Sequence, residues 1–183
     1  MYTWIFLIVV VILAAFFIGM YNKFVRLKNM VEEAWSGIDV QLKKRYSLIP
    51  NLVNTIKGYA THEKEVFENV AAMRSAGVNA KTVAEHNKAE NAITQALGRL
   101  FAVAENYPEL KANTNFLDLQ NQLSIVENDI QMARRYYNGT ARNKNIMVES
   151  FPSNIVASLF GFTKSEYFEI EDAKERETPT VNF

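Results

Sequence analysis

The chain has no cysteine among its 183 residues. That excludes a disulfide framework, thiolate metal sites, a cysteine nucleophile and a lipid anchor on cysteine. It has only two histidines, His62 and His86, too few for a histidine-based metal centre. Glycine and proline are scarce, at 7 and 4 residues, so long uninterrupted helices are expected rather than a turn-rich β fold. Lys plus Arg number 20 against 20 Asp plus Glu. With no net positive field and no glycine-rich phosphate loop, neither a nucleic-acid partner nor a cofactor is expected. The length suits one domain with an appendage.

Charge is also absent from the first stretch of chain, where Lys23 is the first charged side chain. Residues 5–18 read IFLIVVVILAAFFI, twelve of fourteen being Ile, Leu, Val or Phe. At ~0.3–0.6 kcal/mol of favourable insertion each, the sum is roughly 4–7 kcal/mol. Tyr2 to Tyr21 makes about 30 Å of helix, the thickness of the hydrocarbon core. We expect a membrane anchor over residues 1–21, with Trp4, Ile5, Leu7, Val10, Leu13, Phe17 and Met20 spanning. A cleaved signal peptide fits less well, because there is no basic leader and no clear A-x-A site. Lys23, Arg26 and Lys28 follow at once as a juxtamembrane basic cluster. The positive-inside rule then places the N-terminus outside and residues 22–183 in the cytoplasm. Residues 22–57 hold seven basic and three acidic side chains, and basic residues beside a membrane attract anionic lipid at ~1 kcal/mol each. Membrane lipid is therefore an expected partner.

Past the anchor, Leu27, Val31, Ala34, Ile38, Leu42, Ile49, Leu52, Ile56 and Tyr59 recur at the spacing of one helical face, with a gap at Arg45. The phase survives Pro50, which favours a kinked helix over a reversal, although the residue before a proline prefers extended geometry. The element is expected to end near Ser75-Ala76-Gly77, with Gly77 as its terminator. If residues 23–75 formed one helix, it would extend ~80 Å. A second helix is expected from about Thr82 to Asn106, stopped by Tyr107-Pro108. A loop, Glu109–Asn113, leads to a third helix capped by Thr114 or Asn115 and running toward Glu149. Its face, Phe116, Leu119, Leu123, Val126, Ile130, Ala133 and Tyr137, alternates three and four, as helix bundles do. Pro152 marks the next boundary, Ile155–Phe162 reads as a short apolar helix or hook, and residues 163–183 form an acidic tail expected to be mobile. The fold class is all-α: a single transmembrane helix followed by an elongated antiparallel bundle of three to four long helices, residues 22–162.

Catalytic patterns are weak. His62-Glu63 starts like a zinc-protease helix, but Val66 stands where the second histidine is needed. His86 and Glu90, four apart, read as a surface hydrogen-bonded pair. Arg134-Arg135 beside Tyr136-Tyr137 reads as one buried tyrosine and one arginine paired with a carboxylate across the bundle. The polar residues Asp39, Gln41, Arg45, Asn51 and Asn138 interrupt apolar stretches and are expected to form interhelical pairs that set register. No catalytic or metal-ligating residue is assigned.

Ordered blocks along the chain resemble the LemA family of bacterial membrane-anchored helical proteins. They include Ala34-Trp35, Ile38–Leu42 with Asp39, and Arg45–Val53 with Pro50 and Asn51. Tyr107-Pro108 and Leu110–Asn113 follow, then Ala133-Arg134, Tyr137-Asn138, Asn145, Phe151-Pro152 and Gly161-Phe162. Coverage is about residues 22–168, and one departure is Lys144, where the family usually has an aromatic. The resemblance implies a helical bundle behind an N-terminal span in the bacterial cytoplasmic (inner) membrane. It supplies no catalytic residue; Trp35, Asp39, Arg45, Pro50, Asn51, Tyr107, Pro108, Arg134, Tyr137 and Asn138 enter as structural positions. Relatives linked to magnetosome membrane formation imply envelope organisation. The expected function is a non-enzymatic scaffold that self-associates as a homo-oligomer at the membrane. The alternative is an adaptor that docks an envelope protein such as a membrane protease, through the IVASLFGF segment and the acidic tail.

Overall fold

The computed structural model describes residues 2–168. They form six helices, with no strand among them: α1 (Tyr2–Lys57), α2 (Lys64–Asn79), α3 (Val83–Ala104), α4 (Pro108–Lys111), α5 (Thr114–Glu149) and α6 (Ser153–Phe160). The all-helical class and the long apolar N-terminal helix thus match expectation.

α1 contains 56 residues and is about 84 Å long at 1.5 Å per residue. It carries the apolar segment and the first helix of the domain without a break, so the boundary drawn at residue 21 falls inside a continuous helix. None of its apolar window is buried within the chain. The helix also continues through Pro50, and the reversal there does not occur.

The chain turns instead after Lys57, which corrects the expected end near Gly77. Tyr59 and Ala60 both donate backbone N–H to the Ile56 carbonyl at 2.9 Å, closing the last turn. The reason is burial: Phe67 and Val70 must return to the core already occupied by Ile49, Leu52 and Ile56. A straight helix would have left them in water, at a cost of roughly 1.5–3 kcal/mol per large apolar side chain. Lys57 then sits over the Phe67 ring, its ammonium 5.3 Å from the centroid.

α2 and α3 form a hairpin. α3 opens on a reciprocal cap: Thr82 Oγ1 accepts from Glu85 N at 3.1 Å, and Glu85 accepts from the Thr82 and Lys81 N–H groups. Those two backbone donors hold the Glu85 carboxyl below its ordinary value. Tyr107-Pro108 does stop α3, but the following stretch is the helical turn α4, with Pro108 at its first position and Leu110 fully buried. The cap of α5 is Asn113, whose Oδ1 accepts from Asn115 N at 2.9 Å and Phe116 N at 3.1 Å.

α5 runs back along α1, antiparallel, so that Asn113 meets Tyr59 at one end and Tyr137 meets Trp35 further down. The main core lies between α1, α2, α3 and α5. A second, smaller cluster sits where α6 folds onto α1: Phe24, Val156 and Ala157, flanked by Phe17, Met20, Met147 and Phe162.

Gly77 lies inside α2, buried, and does not terminate it. A Cβ there would stand 2.6 Å from Tyr46 Oη and 2.9 Å from Ile93 Cδ1. The glycine is therefore what lets α2 approach α1 and α3. Gly77→Ala should lower unfolding stability by about 1–3 kcal/mol in denaturant titrations, the usual cost of overpacking. Gly98→Ala, where a Cβ meets open space, should be neutral or stabilising by up to about 1 kcal/mol in the same assay.

Candidate functional site

The gap in the apolar face of α1 is occupied by a charge that is buried. Arg45 is 3% exposed and points across the core to α3 and α5. Its Nη1 donates to Glu90 Oε2 at 2.7 Å, and its Nη2 donates to Thr94 Oγ1 at 2.8 Å and lies 3.1 Å from Glu127 Oε2. The other oxygen of Glu90 accepts from the Tyr46 hydroxyl. Glu90, whose side chain has no solvent contact, is thus satisfied by two donors from consecutive residues of α1. Burial, together with the Glu90 carboxylate, pushes the Tyr46 phenol well above its ordinary value.

Arg134 on α5 completes the layer, which carries two positive and two negative groups. Burial pulls its guanidinium below the ordinary value, against Glu90 and Glu127. It makes no ion pair among the described residues and instead lies over the Phe168 ring at 5.2 Å. The arginine paired with carboxylates across the bundle is Arg45, whereas neither Arg134 nor Arg135, one of which was expected to take that role, makes an ion pair among the described residues. His86 and Glu90 are also corrected: both are buried, and His86 rests against the Trp35 ring at 5.2 Å. A cavity of about 380 Å³ opens beside the layer, lined by Arg45, Thr94, Leu97, Phe101 and Glu127 among others. The layer holds α1, α3 and α5 in one register, because each carboxylate accepts only where its donor stands.

A second constellation grips the segment after α6. Asn138 accepts from Phe168 N at 2.9 Å and donates to Phe168 O at 2.8 Å. Asn145 does the same with Ser165, at 2.8 and 2.9 Å. The Tyr137 hydroxyl donates to the Glu166 carbonyl at 3.0 Å, and Lys144 donates to Ser165 Oγ at 2.9 Å. Phe168 is buried, stacked on Trp35 with centroids 5.6 Å apart. Residues 165–168, expected to be mobile, are instead strapped along α5; residues 169–183 of the same expected mobile tail lie outside the described residues. Lys144 thus supplies one of the strap contacts.

The remaining singled-out residues divide. Trp4, Ile5, Leu7, Val10 and Leu13 are exposed on α1, whereas Phe17 and Met20 are half-buried beneath α6. Lys23, Arg26 and Lys28 are exposed, Lys28 lying 3.7 Å from Glu32. Asp39 pairs along its own helix with Lys43 at 2.7 Å, Asn51 is exposed, and Gln41 Oε1 has no partner among the described residues. Of the five polar interruptions, only Arg45 and Asn138 make side-chain hydrogen bonds or ion pairs beyond their own helix among the described residues. Pro50 and Tyr107 are half-buried, and His62 is exposed in the turn before α2. Sequence reasoning missed Tyr46, Glu90, Glu127 and the strap. The signal for Glu90 was present: it shares a helical face with Ile93 and Leu97, four residues after His86.

Glu90→Ala should destabilise the protein by about 3–5 kcal/mol, because Arg45 is left charged and enclosed. Arg45→Met combined with Glu90→Leu should recover most of that loss, read as the denaturant midpoint.

The sequence profile of the LemA family matches residues 34–183. The chain is 27% identical over 187 residues to Magnetosome protein MamQ 2 of Paramagnetospirillum magneticum, covering 88% of this chain and 68% of that protein. It is 26% identical over 167 residues to Protein LemA of Metamycoplasma hominis, covering 90% and 75%. With the profile spanning the helices that build both the charged layer and the strap, the chain belongs to the LemA family.

Proposed function

We propose that the protein is a non-enzymatic, membrane-anchored helical scaffold. It self-associates at the cytoplasmic face of the bacterial inner membrane and organises or remodels the envelope. α1 supports the anchoring, since its residues before Phe17 are exposed among the described residues. The relatives named magnetosome proteins give the reading its cellular direction.

The observation that carries self-association is the outer face of α5. Leu117, Ile125, Met132, Tyr136 and Ile146 are all large, apolar and exposed. At 3.6 residues per turn they fall within an arc of about 100°, along about 44 Å of helix. Asn121, Asn128 and Asn143, also exposed, lie in the same arc. Two exposed charges, Asp118 and Arg135, stand at the edges of this arc, and the seam between them is apolar and broken by asparagines, which is how helices pair while fixing one register. A second copy of this chain, presenting the same seam, is the occupant that suits it. In the adaptor alternative, α6 and the chain after it would dock an envelope protein. The strap favours the scaffold, because residues 165–168 are already engaged within the chain.

Full-length protein extracted gently from membranes should give an oligomer by native mass spectrometry. Ile125→Lys with Met132→Lys should reduce the subunit number and leave helicity unchanged. A monomeric wild type would overturn the scaffold reading. For orientation, a cysteine introduced by Ala71→Cys on exposed α2 should resist an impermeant maleimide in intact cells and react after permeabilisation. Labelling in intact cells would reverse the topology.

A further inference from the structure

α6 carries apolar residues on both sides. Its inner side, Ser153, Val156 and Ala157, is buried against α1 and α5. Its exposed side carries Ile155, Leu159 and Phe160 beside the small polar Asn154 and Ser158, with Phe151 just before the helix; Leu159 is 69% and Phe160 56% exposed. No charged residue occurs from Phe151 to Phe162. An uncharged helix that exposes large apolar residues beside small polar ones suits the boundary between apolar and polar surroundings, and protein covers only one side of this one.

Its height along α1 is fixed. Phe160 meets the Tyr21 ring at 4.8 Å, and Phe162 stacks on Phe24 at 4.7 Å. Gly161 makes this possible, ending α6 at a φ of 72°, from which Phe162 N returns to the Ala157 carbonyl at 2.9 Å. Tyr21 is also where the apolar run of α1 ends and Lys23 and Arg26 begin. The outer side of α6 therefore lies level with the edge of the apolar run, beside exposed cations. The nearby Glu149 is offset by Lys164, 2.7 Å away.

We propose that α6 is a membrane-interface foot, whose outer side inserts Ile155, Leu159, Phe160 and Phe151 into the boundary between headgroups and acyl chains. The occupant is the lipid surface itself. Interfacial helices bury their apolar side about 5–10 Å deep, and aromatic rings favour that depth. The foot rests on the reading that α1 spans the same bilayer. With two attachments, the bundle cannot rotate freely about α1, so α5 presents its seam at a set angle to the membrane.

The test uses the full chain, which has no native cysteine to remove. An environment-sensitive fluorophore is placed on one cysteine at a time, by Leu159→Cys, Ile155→Cys, Val10→Cys or Gln122→Cys. The protein is reconstituted in phosphatidylcholine–phosphatidylglycerol vesicles carrying a nitroxide quencher near the headgroup or at the acyl centre. The foot predicts that labels at 159 and 155 are quenched by the shallow nitroxide, the label at 10 by the deep one, and the label at 122 by neither. Deep quenching at 10 with none at 159 and 155 would overturn the foot, leave the span standing and point to a second copy covering α6. Quenching at 159 and 155 without any at 10 would keep α6 on lipid and remove the span. Quenching at none of them would overturn both.

Discussion

Burying the carboxylate of Glu90 requires donors, and both come from Arg45 and Tyr46 on α1. The same two residues reach every other helix of the main core. Arg74 on α2 donates to the Tyr46 carbonyl at 2.7 Å, and Gly77 passes directly over the Tyr46 ring. Arg45 also reaches Thr94 on α3 and Glu127 on α5. Apolar contacts would let these helices slide and still bury similar area. A charged pair in a dry core does not, because a shifted partner leaves a buried charge unmatched. The dipeptide thus converts a general tendency of helices to aggregate into one arrangement.

At the other end, the domain is closed by short polar devices on longer apolar ones. Asn138 and Asn145 hold the strap by its backbone, each amide pairing as a neighbouring strand would. That seats Phe168 between Trp35, Tyr137 and Arg134. α6 lies just below, against the part of α1 that leaves the domain. The chain after α5 therefore seals the end of the bundle from which the apolar segment emerges. Since α1 is one helix, any force on that segment reaches Arg45 and Tyr46 through continuous backbone hydrogen bonding.

Much of this was legible in the residues. The run 5–18 could only be a helix with an apolar surrounding, and the three-four spacing of α5 and the Thr82 start of α3 were fixed by local chemistry. The blocks around Arg45, Pro108 and Asn138 were enough to place the family. The candidate site was less legible. Arg45 stood out as a break in the pattern, but its partner lies 45 residues away, and no local rule names a partner at that distance. Glu90 looked like an ordinary exposed carboxylate, because period alone does not say how wide the buried face is. Asn51 and Asp39 looked equally significant, yet they face water or their own helix.

The sequence by itself determined the helical class, the apolar run of α1, the start of α3 at Thr82, the apolar face of α5 and the phase carried through Pro50, because these depend on side chains within a turn or two of each other. Tertiary structure decided where α1 ends, since Phe67 and Val70 gain burial only by folding back. It decided that Gly77 is a contact and not a terminator, because only the crossing of α2 over Tyr46 leaves no room for a Cβ. It also decided that residues 165–168 are held, since the place Phe168 fills beside Trp35 and Tyr137 exists only once α1 and α5 are packed, and Asn138 and Asn145 then supply the backbone partners.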